Sequence, residues 1–252
     1  ARQAALGAGI PDTVPCTTVN KVCASGMKAV INAAQAIALG DASVVIAGGM
    51  ESMSNIPHYM HMRKGVKFGP AAMEDGMQKD GLVDPFDKNA MGVLADNCAT
   101  KYSFSREDQD EFAYNSHMKS LRAQAENRFQ DQIVPIEVVQ NYIDANGKKA
   151  SKSYTVTKDE GQRAGTSKEA LARLRAVFAA GGSVTAGNAS QMSDGAAFVM
   201  VMSEAMVKEL NLEPIARLVN YAAAGVEPRI MGIGPVKAIP KALKQAGLKQ
   251  DD

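Results

Sequence analysis

Tryptophan is absent from this 252-residue chain, and aromatic residues make up only 5% of it. A core must therefore be built from Ala, Val, Ile, Leu and the 14 methionines, whose small or pliable side chains allow close packing of helices on sheets. Three cysteines are too few, and odd in number, for a disulfide framework. A reducing compartment follows as the expectation: cytoplasmic, or an organellar matrix in a eukaryote. Excess charge of one sign is also missing. With 28 Lys and Arg against 27 Asp and Glu, the net charge of +1 leaves no footprint for nucleic acid or an anionic membrane surface. No apolar run reaches the roughly 18 residues that cross a bilayer. Short-period repeats, low-complexity segments and clear linkers are lacking too. What remains is ordinary globular composition, 46% hydrophobic and 22% charged, enough for one large or two small domains.

The ends read as those of a segment. Ala1 is not an initiator Met, and residues 1–9 show no signal-peptide pattern, only the tail of a helix stopped by Gly7 and Gly9. At the far end an amphipathic helix starts at Gly234-Pro235 and closes at Gly247, where an α/β pattern would next supply a strand.

The stretch Val19-Asn20-Lys21-Val22-Cys23-Ala24-Ser25-Gly26-Met27 organises the rest. Pro15 to Val22 reads as a strand, with β-branched Thr17, Thr18 and Val19, and Ala24 to Leu39 as an Ala-rich helix closed by Gly40. Cys23 thus stands where strand turns into helix, a place where unpaired N–H groups favour negative charge on a side chain. Ser43 to Ala47 is a short apolar run typical of a strand buried on both faces, ending in Gly48-Gly49. The opening is a β-α-β unit with Cys23 at the carboxyl end of its first strand, the edge at which open sheets bind ligands. A lone Cys before a helix is as often structural as reactive, so the dipole argument by itself leaves both readings open.

Residues 55 to about 178 differ in texture, being more polar and irregular. Met91 to Lys101 reads as a helix, and Ser105 with Asp108 at N3 caps a longer one to about Phe129. Ile133–Val139 and Ser153–Val156 alternate like strands around Asn146-Gly147, a hairpin turn whose Lys148, Lys149 and Lys152 read as a solvated tip. Lys168 to Val177 is a short basic helix. Regular texture returns with the apolar strand Ala196–Met202, a helix capped by Ser203 and an extended run from Pro214 to Ala224.

Four stretches together resemble one family. Val19 to Gly26 is similar to the nucleophile motif of the thiolases, and Gly48-Gly49-Met50-Glu51-Ser52-Met53-Ser54 to the segment after that family's second strand. Val184 to Ala197, with Gly187-Asn188-Ala189-Ser190, resembles the thiolase loop near the pantetheine arm of coenzyme A, and Ile230 to Pro235 fits as well. The resemblance covers essentially the whole chain in order. It implies an α/β thiolase fold, layered α-β-α-β-α and incomplete here, with an inserted α+β loop domain. Residues 1–54 and 181–202 would belong to the N-terminal half, 55–180 to the loop domain over the coenzyme A site, and 203–252 to the start of the C-terminal half.

The activity implied is acyl transfer: thiolytic cleavage of a 3-ketoacyl-CoA, or the reverse condensation, with coenzyme A as substrate, no cofactor, and a homodimer or homotetramer as the assembly. Asp159-Glu160-Gly161-Gln162-Arg163 and Met231 to Pro235 look more like broad-range 3-ketoacyl-CoA thiolases, and Ala90 stands where acetoacetyl-CoA thiolases typically carry His. The resemblance makes Cys23 the nucleophile and carries over Leu82, Met91, Arg163, Phe178, Ala186, Ser190 and Met231 for coenzyme A. Arg163 suits the nucleotide end, Ser190 a pantetheine amide, and Leu82, Met91, Phe178 and Met231 an apolar channel. The family's Gly-His-Pro base, Cys-x-Gly acid and Asn-Glu-Ala-Phe motifs do not occur in the 252 residues. His58, His61 and His117 read as exposed or structural, without a metal, and Cys16 and Cys98 as core residues. An acetyl-CoA C-acetyltransferase (acetoacetyl-CoA thiolase), a non-catalytic acyl-CoA-binding chain of the same fold, and a condensing enzyme on that fold stand as alternatives.

Overall fold

The computed structural model describes residues 1–252. In chain order the elements are α1 (Arg2–Gly7), α2 (Ser25–Leu39), β1 (Val44–Ser52), β2 (His58–Tyr59), β3 (Glu74–Asp75), α3 (Met91–Tyr102) and α4 (Arg106–Ala125). There follow β4 (Ile136–Ile143), β5 (Lys149–Val156), α5 (Lys168–Ala172), β6 (Asp194–Met202), α6 (Glu204–Glu209) and α7 (Gly234–Ala246). The chain divides into two compact units, residues 1–91 with 192–252, and residues 92–191. Residues 55–91, grouped with the inserted segment on texture, fall in the first unit.

The first unit is built on β1 and β6, which pair antiparallel from Val44 opposite Met202 to Ser52 opposite Asp194. Helix α2 covers this ribbon. The approach is close at Gly49, where a Cβ would lie 3.3 Å from Gly26 Cα, tighter than side chains ordinarily pack. Gly40, at φ +82°, closes the helix in the left-handed conformation that only glycine adopts freely. Ile31, Ala33 and Ala47 form the buried seam between helix and ribbon.

Three expectations are corrected here. Pro15 to Val22 is not a strand: apart from a single bridge between Lys21 and Cys23 its backbone has no ladder partner, and an extended segment becomes a strand only by pairing. The opening is therefore not a β-α-β unit, because β1 pairs with a strand about 150 residues later and runs antiparallel to it. Nor are β1 and β6 buried on both faces. Ile46 is 50% exposed and Met200 59%, since two strands with one helix leave the opposite face without cover. The stretch Val22–Leu39 also meets a membrane segment's length and composition. Its helical part, though, is 15 residues, about 22 Å long, short of the ~30 Å hydrocarbon core.

In the second unit α4 carries the expected capping box. Ser105 accepts from the Asp108 backbone N–H while the Asp108 carboxylate accepts from the Ser105 N–H. The Ser105 hydroxyl and backbone N–H hold that carboxyl below the usual range. Strands β4 and β5 form the expected hairpin, with Gly147 at φ +75° in its turn. The basic helix is shorter than its pattern, ending at Ala172. No strand forms in the Pro214–Ala224 run.

Candidate active site

Cys23 is exposed and lies two residues before the first residue of α2. The turn that carries it is held by local side chains. The Val22 N–H donates to Asn20 Oδ1 at 2.9 Å, the Lys21 N–H donates to Ser25 Oγ at 2.8 Å, and that hydroxyl donates to the Val22 carbonyl at 2.7 Å. Between these bonds Val22 adopts φ +50°, a left-handed conformation that is costly for a β-branched residue and persists only where its surroundings enforce it. The result is an exposed thiol at a helix entry, behind which α2 packs onto Gly48-Gly49. Asn20 and Ser25 were visible in the motif, but the strain at Val22 was not, because nothing in a valine announces a positive φ.

Leu82, Met91 and Met231 all belong to the first unit. Residues 83–90 form a closed loop in which Val83 bridges Ala90, the Asp84 N–H donates to the Asn89 carbonyl at 2.8 Å, and the Asp87 N–H donates to Asp84 Oδ2 at 2.7 Å. Leu82 enters this loop and Met91 leaves it, both half-buried. Arg229 pairs with Asp87 at 2.8 Å, which ties the helical turn Pro228–Ile233, and with it the exposed Met231, to the same loop. Asp84, Asp87 and Arg229 were missed in the sequence because carboxylates in a loop have no periodicity to betray them.

In the second unit Ala186 and Ser190 are exposed along the loop from Ser183 to Ser190, whose own backbone is locked from beneath. Thr185 is fully buried, its N–H donating to Asn188 Oδ1 at 2.7 Å. Phe178 lies against Gly92, the residue after Met91, where a Cβ would run into its ring. Gly161 sits under the Gln191 side chain, which brings the stretch leading to the exposed Arg163 close to the end of the Ser190 loop.

The histidines are dispersed. His58 is on β2, His117 is half-buried on α4, and His61 lies 3.0 Å from Glu74, whose carboxyl is held below its usual range chiefly by its hydrogen bond from Lys79. Cys16 and Cys98 are half-buried, not core residues as expected: Cys16 sits in an unpaired segment, and Cys98 on the rim of α3 beside the buried Asp96 and Ala99.

An exposed thiol on a turn held by its own neighbouring side chains is open to a second molecule. The Thiolase, N-terminal domain family matches residues 1–205, and the Thiolase, C-terminal domain family matches residues 212–252. An acetyl-CoA acetyltransferase of Allochromatium vinosum is 52% identical over 248 residues, 98% of this chain and 61% of that protein. A probable acetyl-CoA acyltransferase of Staphylococcus aureus is 47% identical over 253 residues, 100% of this chain and 62% of its own. Among solved structures, acetyl-CoA acetyltransferase of Bacillus anthracis superposes with a TM-score of 0.88 at 43% identity, covering 100% of this chain and 61% of its own. Human mitochondrial 3-ketoacyl-CoA thiolase does so at 0.88 and 40%, covering 99% and 61%. The chain belongs to the thiolase family and has the thiolase fold, and it spans about three fifths of the length of these relatives.

Proposed function

We propose that this chain supplies the nucleophile and much of the coenzyme A site of an acyltransferase that cleaves 3-ketoacyl-CoA with coenzyme A. The observation that carries the reading is Cys23, exposed on a turn that Asn20, Ser25 and a strained Val22 hold at the entry of α2. The Cys23 thiolate attacks the 3-keto carbon. The C2–C3 bond then breaks, its electron pair passing to C2 of the departing acetyl-CoA, which takes up a proton, and the acyl group stays on sulfur as a thioester. The thiolate of a second coenzyme A attacks that thioester, and Cys23 leaves as thiolate. Taking up a proton at C2 and deprotonating the incoming thiol call for a general acid and a base. Arg163, Ala186, Ser190 and Phe178, with Leu82, Met91 and Met231, are proposed to hold the coenzyme A portion. A homodimer or homotetramer in a reducing compartment, serving fatty-acid β-oxidation, completes the reading.

The test is thiolysis by the protein as its gene encodes it. Cys23→Ala abolishes turnover on this account, and undiminished turnover would refute it. A second reading, acetyl-CoA C-acetyltransferase, is favoured by the name of the Allochromatium vinosum relative. Relative kcat/KM on acetoacetyl-CoA and 3-ketodecanoyl-CoA separates the two: Arg163 in its Asp159–Arg163 context and Ala90 before Met91 favour the longer substrate, and preference for acetoacetyl-CoA would favour the alternative.

A further inference from the structure

Two buried carboxylates grip the loop that bears Ala186 and Ser190, one at its start and one beneath its middle. Asp96, on α3, is 9% exposed, and its Oδ1 accepts from the Ser183 N–H at 2.7 Å, the Val184 N–H at 3.1 Å and the Ser183 hydroxyl at 3.1 Å. Its other oxygen is buried without a partner. Oδ1 thus carries all three of the hydrogen bonds through which the carboxylate holds the loop. They fix the two N–H groups with which the loop begins and the Ser183 hydroxyl beside them. Glycine at 182 leaves room for the carboxylate, since a Cβ there would come within 2.5 Å of Asp96 Oδ2.

Asp110, on α4, is 6% exposed. Its Oδ2 accepts from Arg106 Nε at 2.7 Å, and its Oδ1 accepts from Asn188 Nδ2 at 3.0 Å. Asn188 spends its remaining capacity on the loop itself, donating to the Ser183 carbonyl at 3.0 Å and accepting from the Thr185 N–H at 2.7 Å. Arg106 in turn donates to the carbonyls of Leu171 and Leu174, whose side chains lie where a Cβ on Gly187 would fall. Two side-chain bonds of Asn188 therefore shape Ser183–Asn188, and the third, to Asp110, sets its orientation.

We infer that Asp96 and the Asp110–Asn188 pair are positioning residues for coenzyme A: they preset the Ser183–Ser190 loop so that Ala186 and Ser190 meet the pantetheine arm without reordering. This inference rests on the functional reading above and deepens it. A preset loop lowers the ordering cost of binding and does not touch the sulfur chemistry, so its loss falls on KM before kcat.

The experiment uses the full protein, with steady-state thiolysis for KM and kcat and iodoacetamide alkylation of Cys23 as a readout that needs no coenzyme A. Asp96→Ala and Asn188→Ala each raise the KM for coenzyme A roughly tenfold or more, while kcat and the alkylation rate stay within about threefold. Asp96→Asn keeps an acceptor at Oδ1 and returns KM to within about threefold of the parent. If Asp96→Ala does not fold, Asn188→Ala and Asp96→Asn decide the matter. Unchanged KM in Asn188→Ala, or a parallel fall in kcat and alkylation rate, overturns the inference. A parent protein without acyl transfer through Cys23 sinks the functional reading itself, whereas an active parent with indifferent variants sinks this inference alone.

Discussion

The turn at Asn20–Ser25 and the loop at Ser183–Ser190 are both irregular backbone held by side chains, yet they are held in opposite ways. The turn is exposed and its bonds are short-range, none spanning more than four residues. The loop rests on carboxylates that reach it from 78 and 87 residues away, and Thr185 within it has no exposure at all. A nucleophile must be reached by substrate and must change its covalent state, so it is presented on local strain with little packed around it. A binding loop gains from rigidity, so it is tied to the interior by groups whose loss leaves buried atoms unpaired. On the proposed function, reactivity and rigidity are separated within one chain, and substitutions at the two places are expected to fail differently.

The largest contrast is in activity. Cys23→Ala lowers thiolysis by on the order of a thousandfold or more, while denaturant unfolding shifts by no more than about 0.5 kcal/mol, as for other exposed positions. A large loss of stability in that variant would break the comparison. Next comes Asp110→Ala, which strips Arg106 of its ion partner and Asn188 of its acceptor. We expect destabilisation of about 2–3 kcal/mol, below the figure for a fully buried pair because Arg106 is partly exposed; denaturation with little effect on Cys23 alkylation would confirm it. The smallest effect is on pH dependence. Asp194, at the end of the β1–β6 ribbon, is held below the usual carboxylate range first by the Ser54 hydroxyl and then by the Ser54 backbone N–H. A depressed folded value stabilises the fold above the ordinary Asp range, near 4, and that contribution disappears as pH falls through the folded value. Ser54→Ala moves the Asp194 titration upward, read by carboxyl-carbon NMR, and an unmoved titration would show that the backbone bond alone sets it.

Much of this arrangement was legible in the chain. Local chemistry marked the elements whose signals are local: Gly40 and Gly247 closing helices, the Ser105–Asp108 box, and the Asn146-Gly147 turn. The motif around Cys23 gave its place at a helix entry. Non-local pairing was not legible. Strand β1 finds β6 across the length of the inserted unit, and no periodicity in either run names the partner or its direction. The Pro15–Val22 stretch has strand-forming residues but no ladder partner, so propensity misled there. Asp96 and Asp110 were invisible for a third reason. On a helix, an acidic residue reads as a solvated face, and only the packed structure shows both turned inward onto a loop.

Whether Cys23 is the group-carrying thiol can be read from its mass. The full protein is incubated briefly with a 3-ketoacyl-CoA, digested with trypsin and mapped by mass spectrometry, with and without a chase of coenzyme A. The account predicts an acyl mass on the peptide Val22–Lys28, absent from the peptides holding Cys16 and Cys98 and removed by the chase. An unmodified Val22–Lys28 peptide in a protein that turns over its substrate would contradict it.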